Sequence, residues 1–202
     1  MVERIVAELQ GTSCLPQEMI TPAKKQIIAS RSFGRYITNQ VELRQAVISY
    51  AARASEKLRQ QHSTASMLSV WVETNPFRPD KPQYHPSASI SFNEATDDTL
   101  LIGKAAAAVL QRLYRPGYQF KKAGVMLSAI APKATRQATL FESPAHIARR
   151  ARLNSALDRV NLRVGRGTLA VAGAGLEKPW AMKREQLTNA YTTRWDELMV
   201  AR

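Results

Sequence analysis

The residue types that carry most enzyme chemistry are thinly spread in this chain of 202 residues. His62, His85 and His146 stand far apart, Cys14 is the single cysteine, and none of them falls at a metal-ligand spacing. A lone thiol excludes an internal disulfide and suits a reducing compartment. Gly165-Arg-Gly167 and Gly173-Ala-Gly175 match neither a dinucleotide fingerprint nor a P-loop, so they are turn punctuation. Asp97-Asp98 stands at the start of a helical pattern, where capping explains it better than acid–base work. No catalytic constellation emerges. What the chain offers is contact chemistry. Ser30, Arg31, Ser32, Lys121 and Lys122 pair cations with small hydroxyls, the groups that hold phosphate oxygens without reading bases. In RQATLFE, Gln137, Leu140 and Phe141 set two large apolar side chains and an amide into a proline-flanked connector.

Charge agrees with the first of these. Lysine and arginine number 29 against 16 acids, a formal net charge of +13, which draws polyanions and speeds their encounter. Nucleic acid is the leading partner and an acidic protein surface the second. No apolar run approaches the ~20 residues of a membrane span, and MVERIVAELQ lacks a signal-peptide core, so a membrane is not expected as a partner. The expected location is the cytoplasm.

These residues need elements to hold them. Residues 2–10 pattern as the end of a helix stopped by Gly11, followed by the polar, proline-marked linker TSCLPQEMITPAKK. QIIASRSF is a short strand closed by Gly34. Thr38 or Asn39 caps a helix over about 41–61, with Leu43, Val47, Tyr50, Ala54 and Leu58 recurring at helical spacing. MLSVWVET alternates, with Leu68, Val70 and Val72 on one side. A loop with four prolines follows, then SASISF, in which Ala88, Ile90 and Phe92 oppose three serines. Thr96 or Asp97 starts a second helix with Leu101, Ala105, Val109 and Leu113 as its stripe. Pro116-Gly117 ends it, and YQFKKAGVMLSAI returns as a strand. The order βαββαβ predicts an α+β fold: a four-stranded sheet with both helices on one face and the other face open.

Beyond it, 132–144 is a tether and 145–202 a small, basic α/β module. Its helix would bury Ile147, Leu153, Leu157, Val160 and Val164, and TLAVA is a strand candidate. Trp180 and Trp195 either fill a small core or stack on bases. Leu140 and Phe141 either fold back onto the core or anchor an extended peptide in a partner's pocket, with Gln137 hydrogen-bonding alongside.

At this level of detail a family resemblance becomes visible. SRSFG (30–34), RQAVISYAARASEKLR (44–59), RPGYQFKKAGVML (115–127), QATLF (137–141) and the closing Trp180 to Trp195 segment resemble, in that order, the C-terminal part of the UmuC-type Y-family translesion DNA polymerases. The resemblance implies that 1–23 is the end of the thumb helix with its linker. It makes 24–131 the little finger, which grips template–primer DNA, and 145–202 a C-terminal module associated with UmuD′ and RecA. Gln137, Leu140 and Phe141 fall on the family's β sliding clamp pentapeptide, with Ala138 and Thr139 departing mildly from it. The family's palm binds two Mg²⁺ ions through acidic residues. Nothing here resembles that palm, so no cofactor and no polymerisation are expected of the isolated chain. The expectation is a DNA- and clamp-binding part of an SOS mutagenesis polymerase. The rivals are a clamp- or UmuD′-binding inhibitor, an RNA-binding module, and one half of a split polymerase.

Overall fold

The structure, a computed structural model, describes residues 2–14, 22–135, 143–182, 188, 191 and 194–198. Helix α1 (Val2–Leu9) ends at Gly11, whose φ of +82° only glycine adopts freely. The domain proper runs β1 (Ile27–Ile37), α2 (Gln40–Gln60), β2 (Ser63–Thr74), β3 (Ser87–Thr96), α3 (Thr99–Leu113) and β4 (Phe120–Pro132). The strands form one antiparallel sheet in the order β1-β4-β2-β3, so β4 and β2 are central and β1 and β3 are edges. Both helices pack on one face of it. None of the described helices is long and apolar enough to cross a membrane.

The helix starts are written locally. Asn39 Oδ1 accepts the Val41 amide at 2.7 Å, and Glu42 in the first turn and Lys57 and Arg59 in the last complement the dipole of α2. At α3, Asp98 Oδ1 accepts the amides of Leu100 and Leu101 at 2.7 and 3.1 Å, which is the capping role that its position suggests. The five α2 residues expected inside are all buried. The α3 stripe is rotated from expectation: Ile102, Ala106, Val109, Leu110 and Leu113 face the core, while Leu101 and Ala105 are half-buried. In LLIGKAAAAVLQRL apolar residues surround the helix, so periodicity has little contrast to read.

The core lies between the helices and the sheet. Leu68, Val70 and Val72 of β2 and Val125 and Leu127 of β4 are fully buried there, and truncating Leu68 to Ala should cost about 2–5 kcal/mol. Gly34 does not close β1. The strand continues to Ile37 through a bulge between Ser32 and Ile37, and a Cβ-less residue is simply tolerated inside it. Strand β2 also starts earlier than its alternation suggests, directly after His62, which turns the chain at a φ of +53°.

Helix α4 (Pro144–Arg163) begins the tail, and here expectation and structure part. Leu153, Val160 and Val164 are exposed, and α4 docks through a polar face instead. Asn154, 5% exposed, accepts the Thr99 amide at 3.2 Å, Asp158 pairs with Arg59, and Arg150 approaches Asp98 at 3.5 Å. TLAVA forms no strand; it leads into a 3₁₀ turn at Ala172–Ala174 that seats on α2, with Ala174 buried. Trp180 then enters the main core, edge-on to Phe33 and Tyr50 at ring distances of 6.3 and 5.7 Å, while its carbonyl accepts the Gly34 amide at 3.1 Å. Trp180 is therefore a core residue, whereas Trp195 is exposed.

Candidate nucleic-acid interface

Cross-strand register decides which side chains face away from the helices. Residues directly opposite in an antiparallel ladder share a face. Ala29 opposite Val125 and Leu68 opposite Leu127 are buried under the helices. The alternate set therefore projects outward: Ser30 opposite Gly124, Ser32 opposite Lys122, Ser69 opposite both Met126 and Ser89, and Trp71 opposite both Gly124 and Ser87. Among the described residues no element packs over this face. Its hydroxyls are organised, since Ser69 and Ser89 share a hydrogen bond of 2.7 Å. Small side chains here let an extended backbone come close, and hydroxyl and amide donors suit phosphate oxygens.

The five candidate contact residues do not all arrive together. Ser30, Ser32 and Lys122 share the open face. Lys122 has an acidic neighbour there, with Nζ 3.3 Å from a Glu73 carboxylate oxygen, so its charge is partly offset. Arg31 does not flank that face. It stands opposite the buried Ala123 and so points to the helix side, because Ile27 and Ala29 set the inward phase of β1. Lys121 is drawn to the β1 edge, where Nζ donates to the Phe33 carbonyl at 2.7 Å and lies 5.6 Å above the Tyr36 ring. The irregular pairing between Glu73 and Thr74 separates it from its neighbour Lys122. Gln137, Leu140 and Phe141 lie outside the described residues.

Two features escaped the sequence reading. Trp71 occupies the middle of the open face, half-exposed, with its indole directly on Gly124, where any Cβ would overlap the ring. The signal was available: Trp71 falls out of phase with Leu68, Val70 and Val72, and a glycine stands in a neighbouring strand. The second is the outer face of α4, where Arg149, Arg152, Arg159 and Arg163 are all exposed at helical spacing. The charge was visible in the sequence, but apolar periodicity assigned the helix the wrong inner face. Among the described residues no three His, Cys, Asp or Glu side chains gather to hold a metal ion.

The impB/mucB/samB family C-terminal domain matches residues 24–140, and a domain of unknown function (DUF4113) matches 151–201. Protein UmuC of Salmonella typhimurium is 44% identical over 199 residues, covering 98% of this chain and 47% of that protein. Protein SamB of the same species is 40% identical over 202 residues, covering 100% and 47%. The chain thus spans about half the length of the curated relatives it matches. A solved complex of the β-clamp processivity factor and the little finger domain of PolIV matches 58% of this chain and 99% of that one, with 12% identity and a TM-score of 0.40. With more than half of its residues matched by the family's C-terminal domain, the chain belongs to the impB/mucB/samB family, as a UmuC-like C-terminal region.

Proposed function

We propose that this chain is the part of a UmuC-like translesion DNA polymerase that grips template–primer DNA and the β sliding clamp during SOS damage tolerance. The observation that carries the reading is the open sheet face: a row of hydroxyls around Trp71, with Lys122 on it and no described helix over it, in a chain of net charge +13. Such a surface engages sugar–phosphate backbone with little sequence preference. The reading assigns Ser30, Ser32 and Lys122 to direct backbone contact. Arg31 and Lys121 contribute at the β1 edge. Gln137, Leu140 and Phe141 form the clamp anchor, a short peptide whose modest affinity is raised by simultaneous DNA binding.

The same reading leaves nucleotidyl transfer, and the two Mg²⁺ ions it uses, to the portion of the relatives that this chain does not span. It gives the tail to UmuD′ and RecA, and places the protein in the cytoplasm. Two binding assays on the full chain test it. Primed DNA should bind without the clamp, and immobilised clamp should capture the chain without DNA. A chain that binds clamp yet ignores primed DNA would instead be an interaction protein, and one that prefers single-stranded RNA would be an RNA-binding module.

A further inference from the structure

A recess of about 590 Å³ lies on the side of β1 away from the open face, between the strand's edge, α2 and the loop after α4. Its charge is lopsided. Arg31, Arg53, Lys57, Arg166 and Lys178 line it, against one carboxylate, Glu56, which is already tied to Arg53 at 2.5 Å. Arg31, Arg166 and Lys178 pair with no carboxylate among the described residues. Lys57 is held below the ordinary lysine range, first by desolvation and then by the charges of Arg53, Lys24 and Arg31. The cations therefore repel one another in the folded protein, a cost that a bound anion would remove.

A second, independent observation points to a ligand. Tyr50 and Trp180 line the same recess at 7% and 4% exposure, and among the described residues neither Tyr50 Oη nor Trp180 Nε1 has a hydrogen-bond partner. Buried donors are ordinarily satisfied, so two unpaired donors on residues of one recess wall favour an acceptor there. Burial also pushes the Tyr50 phenol well above its usual value, which keeps its proton in place. The loop carrying Arg166 is built: Asn161 Oδ1 accepts the amides of Gly167 and Leu169 at 3.2 and 3.0 Å, and its Nδ2 donates to the Leu169 carbonyl at 2.8 Å. Gly165 and Gly167 supply the positive φ that this loop requires.

We infer that this recess is a phosphate-binding site, in which Arg31, Lys57, Arg166 and Lys178 hold a phosphoryl group and so fasten the C-terminal segment to the main domain. Guanidinium forks match phosphate oxygens bidentately, and the excess of cations suits a dianion or a phosphodiester chain. The phosphoryl group comes either from a nucleic-acid strand leaving the open face over the β1 edge, where Ser30 borders both surfaces, or from free phosphate. The site stands whether or not the open face binds DNA.

The test follows the indole N–H resonance of Trp180 in the ¹⁵N-labelled full chain, assigned with Trp180→Phe. Inorganic phosphate, a short oligo-dT and an oligoglutamate peptide are each titrated at ionic strength matched with chloride. Phosphate is expected to move the Trp180 signal saturably, and Arg166→Gln/Lys178→Gln should weaken that response about tenfold. If oligo-dT moves the same signal the natural source is a strand backbone; if phosphate alone does, it is free phosphate. A response equalled by chloride, one that the double variant leaves unchanged, or one given by oligoglutamate and not by phosphate would overturn the assignment. Lys122→Ala, on the opposite face, should leave the Trp180 response intact even where it weakens binding of primed DNA.

Discussion

Arg59, near the end of α2, holds Asp158 of α4 across 99 positions of sequence, with Nε 2.6 Å from Oδ2 and Nη2 2.7 Å from Oδ1. Its remaining nitrogen, Nη1, bonds the Asp97 carbonyl at 2.6 Å and Thr99 Oγ1 at 2.9 Å. One guanidinium thus joins the last turn of α2, the start of α3 and the middle of α4. Its side chain is 11% exposed, so the pair is far drier than an ordinary surface ion pair. Arg59→Met should lower stability by about 2 kcal/mol in urea unfolding and speed amide exchange across α4. Unchanged α4 exchange would mean that the helix is held by something else.

That network shows where sequence legibility ends. The βαββαβ order, the α2 stripe and the open face were all readable, because each rests on local periodicity and caps such as Asn39. The docking of α4 was not. Its inner face is Asn154, Asp158 and Asn161, and a search for apolar spacing selects Leu153 and Val160 on the outside instead. Trp180 against Phe33 and Tyr50 is also invisible locally, since neither side of that contact marks its partner. Within the candidate site, Ser30, Ser32 and Lys122 were readable as a class. The inward phase of Arg31 depends on register with β4, which no single strand reveals.

Gly124 and Trp71 are coupled by contact. Gly124→Ala should displace the indole from the sheet and cost about 1–3 kcal/mol by thermal or urea unfolding. Adding Trp71→Ala should recover part of that loss, a non-additivity that a double-mutant cycle measures directly. Strictly additive losses would refute the coupling.

The loop between β2 and β3 carries a pH signature. Arg78 bonds both carboxylate oxygens of Asp80 at 2.9 Å, and this hydrogen bonding is what chiefly lowers the Asp80 carboxyl to about 2. A depressed folded value means that the pair supports the loop above the ordinary carboxylate range and loses that support as pH falls through about 2. Carboxyl ¹³C shifts should report this midpoint, and Arg78→Ala should move it up toward ~3.9. A midpoint indifferent to Arg78 would count against the assigned cause.

Leu140→Ala/Phe141→Ala should abolish capture by immobilised sliding clamp and leave primed-DNA affinity within about twofold, because apolar anchors dominate short-peptide docking. Normal clamp capture by the double variant would make the tether structural.

The measurement that bears most directly on the account is the affinity of the full chain for primed DNA as a function of salt, with wild type beside Ser89→Glu and Lys122→Ala. If about five phosphates are engaged, the log–log slope for wild type should be about −4 to −5, and Lys122→Ala should make it shallower by about 0.9. Ser89→Glu, which puts a carboxylate among the hydroxyls of the open face, should weaken binding steeply at low salt. An affinity that ignores salt, or a Ser89→Glu variant that binds like wild type, would contradict the claim that this sheet face holds the DNA backbone.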